Sequence, residues 1–170
     1  MNLYFLRHGK AHARGPKWRP DAKRPLTNEG EKKTIEVARG MKRLGLSFDL
    51  ILSSPYERAL RTAQIVVEVY KVRKLFPTNN LAANADSHAI IAEINDNFST
   101  LKDIIVVGHE PFLSGLISLL LTGDGAMKID FKKAGLCKLK IEELRFGKCA
   151  RLDWLLTPRQ LSRLGKREKS

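Results

Sequence analysis

Apolar positions along this chain recur with two periods, in segments that alternate from one end to the other. Met1–Leu6 is a short, mostly apolar run that stops at Arg7-His8-Gly9, and it predicts a first strand. From Thr27 a helical pattern sets in and runs to about Leu44. Thr27 or Asn28 can cap it, Glu29 and Glu31 suit its positive end, and Gly45 stops it. Phe48–Leu52 reads as a short buried strand closed by Ser53-Ser54-Pro55, and Tyr56–Val72 places Ala59, Ala63, Val66 and Val67 on one helical stripe. Pro77–Asp86 has little periodicity. Ser87–Phe98 returns to a helical pattern through Ile90, Ile91 and Ile94. Ile104–Val107 is a continuous apolar strand of the kind covered on both faces, and Pro111 suits the first turn of a helix reaching Leu121. Leu136–Ile141 and Ala150–Leu156 pair as antiparallel strands that turn near Arg145–Lys148.

Strands alternating with helices predict an α/β fold, a three-layer α/β/α sandwich. Its central sheet is expected to be mostly parallel, with a C-terminal antiparallel strand pair and no large cap. A chain of 170 residues is most economically one domain, expected over 1–158. Residues 159–170 form a basic C-terminal tail, the one stretch whose composition suggests disorder. No internal repeat interrupts this order.

Composition narrows the setting. No apolar run is long enough to span a bilayer, so no membrane partner is expected. Cys137 and Cys149 have neither metal-type nor redox-pair spacing, and the N-terminus lacks a secretory pattern; together these predict reduced thiols in the cytoplasm. The formal net charge of +13 favours an anionic partner. Much of it is local: Lys10, Arg14, Lys17, Arg19, Lys23 and Arg24 face only Asp21 in sequence, directly after His8.

The candidate chemistry lies where strands end. The first strand ends in Arg7 and His8, the second in Ser53-Ser54-Pro55 with Arg58 a turn later, and the strand at Ile104–Val107 ends in Gly108-His109. A parallel sheet gathers those ends into one crevice, where ligands of open α/β sheets bind. Two histidines and two arginines make a poor core and a good phosphate pocket. Arginine forks match phosphate oxygens, a neutral imidazole can attack phosphorus, and a second, protonated one can stabilise charge on the transferring oxygens. No metal or other cofactor is expected, since phosphoryl transfer needs mainly positioning and fixed cations, and arginines oppose a metal.

Leu6-Arg7-His8-Gly9 resembles the signature of the histidine phosphatase superfamily in its phosphoglycerate mutase-like branch. Arg24-Pro25-Leu26-Thr27 with Gly30, Ser53-Ser54-Pro55 with Arg58, Arg61, Thr62 and Ala63, and Gly108-His109-Glu110-Pro111 are together similar to the small SixA-type phosphohistidine phosphatases. Trp154, Leu156, Thr157 and Pro158 also fit that group. The resemblance spans nearly the whole chain. It implies His8 as a nucleophile that becomes phosphorylated, with Arg7, Arg58 and His109 binding the phosphoryl oxygens. It further implies a phosphohistidine on a signalling or phosphotransfer protein as substrate. Many members carry an acid that protonates the leaving group. The corresponding region here offers Asp86, Glu93 and Asp96 without a clear motif, which leaves Asp21 and Glu110 as candidate proton donors.

Other readings of the same residues are weaker. His8 and His12 are four apart but follow a strand, and Glu110 has no second histidine to complete a zinc-protease spacing. His88 is expected to be a surface or packing histidine, and Arg61 a surface helix arginine. Trp18 among basic residues could serve a nucleic-acid patch or the docking of a substrate protein. The alternatives to a phosphohistidine phosphatase are a small-molecule or phosphoserine/threonine phosphomonoesterase, and a non-catalytic phosphate- or nucleic-acid-binding module. Nucleic acid is not expected, because such a module has no need of paired histidines. The partner is therefore expected to be a phosphorylated protein or a small phosphorylated substrate, in an oligomeric state the sequence does not specify.

Overall fold

The computed structural model describes residues 1–71 and 74–165. One six-stranded sheet runs through it, built from β1 (Asn2–Arg7), β2 (Leu50–Ser53), β3 (Leu75–Pro77), β4 (Asp103–Gly108), β5 (Leu136–Ile141) and β6 (Ala150–Leu156). The spatial order is β3-β2-β4-β1-β5-β6. The first four are mutually parallel, whereas β5 runs antiparallel to β1 and β6 antiparallel to β5. Among the described residues, five α-helices complete the layers: α1 (Asn28–Arg43), α2 (Glu57–Tyr70), α3 (Ser87–Phe98), α4 (Phe112–Thr122) and α5 (Pro158–Gly165).

Strand alternation explains why there are helices on both faces. Leu3 and Phe5 of β1, with Ile104 and Val106 of β4, point to the face covered by Ile90, Ile91 and Ile94 of α3 and Leu113, Leu116 and Leu120 of α4. Tyr4 and Leu6, with Ile105 and Val107, point to the other face, against Val37 and Met41 of α1, Ile65 and Val66 of α2, and Leu161 of α5. The α/β/α sandwich and its antiparallel tail of strands are therefore as expected. Among the described residues, no helix is long and apolar enough to cross a membrane.

Local boundaries follow local chemistry. The Thr27 hydroxyl accepts the Gly30 N–H at the start of α1, and Gly45 takes φ 73° after its end. The α2 pattern read as far as Val72 ends, in the described residues, at Tyr70 with Lys71 in the left-handed region; Val72 itself lies outside them. β3 was not anticipated. It is only three residues long, half exposed and held by a single parallel neighbour, so it carries almost no periodic signal.

The largest departure is the basic tail. Pro158–Gly165 forms a helix, not a disordered extension. It packs on α1 so closely that a Cβ on Gly40 would collide with the Leu161 carbonyl, and one on Gly165 with the Glu36 carbonyl. Leu161 is fully buried there, while the arginines of α5 stay at the surface. One apolar anchor and two glycines outweigh the basic composition; the rest of the tail, 166–170, lies outside the described residues.

Candidate active site

β1 and β4 are neighbours, yet α1 leaves β1 towards one face and α4 leaves β4 towards the other. Their C-terminal loops diverge, and the crevice between them is the switch point of the sheet. His8 and His109 are the first residues beyond these two strands, and the His8 N–H donates to the Gly108 carbonyl at 3.1 Å. Their rings lie 5.1 Å apart, centroid to centroid. β2, on the other side of β4, brings Ser54 to His109, with Oγ 2.7 Å from Nε2. Arg58 enters from the first turn of α2. The structure thus brings Arg7, His8, Arg58 and His109 together around one hollow.

The tautomer of His8 is fixed by its surroundings. Nδ1 lies 2.7 Å from the Gly9 carbonyl, which can only accept, so Nδ1 carries the proton. Nε2 keeps its lone pair and accepts the Arg58 Nε–H at 3.3 Å. Gly9 is in turn anchored: its N–H donates to Thr62 Oγ1 at 3.0 Å, and that hydroxyl donates to the Arg58 carbonyl at 2.7 Å. Gly30 lets the loop after β1 lie directly on α1, because a Cβ there would collide with the Lys10 carbonyl.

Arg58 is the bulkiest of the fully buried side chains. Burial lowers its pKa first, and the nearby Arg24 charge lowers it further, against the opposing pull of Asp21. Asp21 holds it doubly, through Oδ2 at 3.0 Å from Nη2 and through its backbone carbonyl, which accepts from Nη1 at 2.9 Å. The same carboxylate accepts from Arg24 Nε at 2.9 Å and lies 3.6 Å from Arg14 Nε. Tyr56 completes the packing, its ring 5.2 Å from the Arg58 guanidinium and 5.0 Å from the His109 ring. One N–H on each terminal nitrogen of Arg58 is left for a ligand.

Arg7 donates to the Phe131 carbonyl, and its buried Nε has no partner; the same is true of the buried His109 Nδ1. Buried polar atoms are rarely left unsatisfied, and Arg7 and His109 both border the pocket, so these two atoms are candidates for contact with a ligand.

Electrostatics set the protonation states. Burial pushes His8 down to about 3, aided by the charges of His109, Arg58 and Arg7 and opposed by the bond to the Gly9 carbonyl. Burial likewise pushes His109 down to about 3, with Arg58 the next cause and Asp21 opposing. Both imidazoles are therefore neutral at neutral pH. For His109, burial and the neighbouring arginine charges are what disfavour the protonated form. Burial would raise Asp21, but the Arg24 hydrogen bond and the Arg58 charge outweigh it and hold the carboxyl below its usual range.

The remaining sequence candidates fall into place. Glu110 Oε1 accepts the Ser114 N–H at 3.0 Å and so serves the start of α4. Glu93 accepts from Thr78 and Asn80 on the α3 side. Arg61 is bound to Glu31 and Glu68, away from the pocket. His88 stacks on Phe146. Tyr56 and the Phe131 carbonyl were not foreseen. A tyrosine before a helix and a backbone oxygen carry no sequence signal of their own.

Comparison with known proteins agrees with this geometry. The family model described as histidine phosphatase superfamily (branch 1) matches residues 3–82. An uncharacterized protein of Picosynechococcus sp. is 35% identical over 144 residues, 82% of this chain and 85% of that protein. Among solved structures, the protein histidine phosphatase SixA complexed with tungstate superposes with a TM-score of 0.83, at 21% identity over 95% of this chain and 99% of its own. The α-ribazole phosphatase of Shigella flexneri superposes with a TM-score of 0.71, at 19% identity over 93% of this chain and 97% of its own. A phosphoserine phosphatase of Entamoeba histolytica, with 3-phosphoglyceric acid, has a TM-score of 0.69 at 19% identity over 94% and 98%. The chain belongs to the histidine phosphatase superfamily and is a phosphatase with histidine-based catalysis.

Proposed function

We propose that this protein is a phosphohistidine phosphatase in which His8 is the nucleophile. The observation that carries the assignment is the fixed tautomer: Nδ1–H is spent on the Gly9 carbonyl, which leaves Nε2 unprotonated, its lone pair held only by a long 3.3 Å bond from Arg58 Nε that attack on phosphorus would replace. In the first step Nε2 forms a bond to phosphorus as the bond between phosphorus and the leaving group breaks. Arg7 and Arg58 neutralise the phosphoryl oxygens, and His109 Nδ1 contacts them, becoming a donor when the dianion's charge draws a proton onto the ring. In the second step water attacks phosphorus, inorganic phosphate departs and Nε2 recovers its lone pair. Arg14 and Arg19, before Asp21, line a groove together with Tyr56, whose ring also packs on Arg58 and His109.

The choice of substrate rests on the leaving group. An imidazole departs far more readily than an alkoxide and needs less help from an acid. The two candidate proton donors are both engaged: Asp21 is held ionised among arginines, and Glu110 accepts the Ser114 N–H at the start of α4. Such a site suits a phosphoramidate better than an ester. The fold neighbour SixA is itself a protein histidine phosphatase and is complexed with tungstate, an oxyanion. Neighbours acting on α-ribazole phosphate and phosphoserine make esters the runner-up.

The test is hydrolysis of a histidine-phosphorylated protein beside a panel of phosphomonoesters, with His8→Ala as control. Turnover of phosphohistidine that vanishes in the variant, together with an acid-labile, alkali-stable phosphoryl group trapped on the wild type, supports the proposal. Ester hydrolysis faster than phosphohistidine hydrolysis transfers the assignment to small metabolites. Unchanged turnover in His8→Ala removes His8 from the role.

A further inference from the structure

A groove of about 540 Å³ opens beside the pocket, lined by Arg14, Trp18, Arg19, Asp21 and Tyr56 together with Ala83 and Asn84. It is far larger than a phosphoryl group needs and lies within the usual size of ligand sites. Tyr56 and Asp21 belong to both the groove and the surroundings of Arg58. Whatever lies in the groove is therefore contiguous with the group on His8, which points to the part of the substrate that carries the phosphoryl.

The wall is preformed. Arg24 Nη1 donates to the His12 carbonyl at 2.8 Å, the His12 N–H donates to Pro25 at 3.2 Å, and Ala11 bridges to Leu26. Two single helical turns, Pro16–Trp18 and Asp21–Lys23, shape the loop between them. Trp18 lies against His12 at 5.3 Å with the Lys17 ammonium 4.9 Å from its ring. The charge is one-sided. Asp21, the loop's one acid, is already committed to Arg58 and Arg24. Lys17, Arg19 and Lys23 are exposed and make no ion pair among the described residues, and the Arg14 side chain is 80% exposed.

Resting on the phosphohistidine reading, we infer that this groove is a docking surface for an acidic protein segment flanking the phosphorylated histidine. Arg14 and Arg19 pair with its carboxylates, and Trp18 supports its aliphatic parts. Free cations beside an active site raise encounter rates and favour acidic partners over neutral ones. A nucleic acid fits less well. The unpaired cations gather on one short loop that leads into a catalytic pocket, not along a stripe that could follow a phosphate backbone.

The experiment uses two synthetic phosphohistidine peptides of equal length, one with Asp/Glu flanks and one with Ser/Asn flanks, and the full-length protein. The wild type is expected to prefer the acidic peptide by about tenfold in kcat/KM, chiefly through KM, and the preference should fall as salt is raised. Lys17→Glu combined with Arg19→Glu should abolish or invert the preference. The milder pair Lys17→Ser and Arg19→Ser should give an intermediate ratio, and Trp18→Ala should weaken binding of both peptides. Lys102→Glu, at the opposite end of the sheet, makes the same kind of charge change and should leave the ratio as it is. Equal turnover of the two peptides by the wild type, or an equal collapse in Lys102→Glu, overturns docking while leaving the phosphohistidine reading intact. No turnover of either peptide sinks both. Competition by a single-stranded oligonucleotide that is lost in the Lys17/Arg19 variants, with no peptide preference, overturns it in favour of nucleic acid.

Discussion

Two neutral histidines buried among arginines make this fold sensitive to mild acid. His8 is 6% exposed and His109 2%, and both sit at about 3 against an ordinary imidazole value of about 6.5. The unfolded chain binds protons at these positions before the folded one does, so stability is full above about pH 6.5 and is lost as pH falls towards 3. At about pH 5 each unfolded imidazole gains about 2 kcal/mol from protonation while the folded one gains almost nothing. The pair therefore removes about 4 kcal/mol between neutral pH and pH 5, a large part of the 5–15 kcal/mol typical of a domain, about 10 in the middle. The size of the effect depends only on the folded values lying well below 5. Ordinary carboxylates titrate below this window, which keeps the two contributions apart.

Urea unfolding followed by circular dichroism at about pH 7.5 and about pH 5 measures the loss, in phosphate-free buffer because an anion in the pocket would stabilise the imidazolium. His8→Gln and His109→Gln should each restore about 2 kcal/mol of the acid loss, and the double variant nearly all of it. A double variant that loses as much as the wild type would refute the account and place the acid sensitivity elsewhere. So would a wild type equally stable at both pH values.

Two further outcomes follow from single contacts. Asp21→Asn removes the carboxylate gripping Arg58 but keeps the backbone carbonyl on Nη1. It should cut kcat by about tenfold on phosphoramidate and on aryl phosphate alike, the mark of a positioning residue. A loss confined to poor leaving groups in a leaving-group series would instead make Asp21 a proton donor. Gly40→Ala places a methyl against the Leu161 carbonyl and should lower stability by about 1–3 kcal/mol through loss of α1–α5 contact, even though alanine is the better helix former. An unchanged melting temperature would mean that α5 is not docked in solution.

The residues that could be read from sequence are those whose position follows from strand order. His8, Ser54 and His109 each sit one residue past a strand, so recognising three apolar runs was enough to place them in one crevice. Arg58 follows by a single helical turn. The layers were legible for the same reason, since alternation in β1 and β4 separates two apolar faces before any helix is docked. What escaped depends on long-range contact between irregular segments. Asp21 meets Arg58 across 37 positions because the loop after β1 folds back over α2, and nothing in its own neighbourhood distinguishes a carboxylate that gives a proton from one that holds an arginine. The α5 helix escaped for a different reason. Its basic composition hid one buried leucine, and the decisive partner, Gly40, lies in another helix. Composition reports what a segment could do alone, whereas Leu161 and Asp21 are defined by what they touch. The protonation of His109 belongs with them: burial comes first in keeping this ring neutral, and the charges of Arg58, Arg24 and Arg7, brought from other elements, add to it. An arriving phosphoryl dianion would oppose that field and favour the charged ring, so on the proposed reading His109 joins the N–H groups of Arg7 and Arg58 as a further donor once substrate is bound.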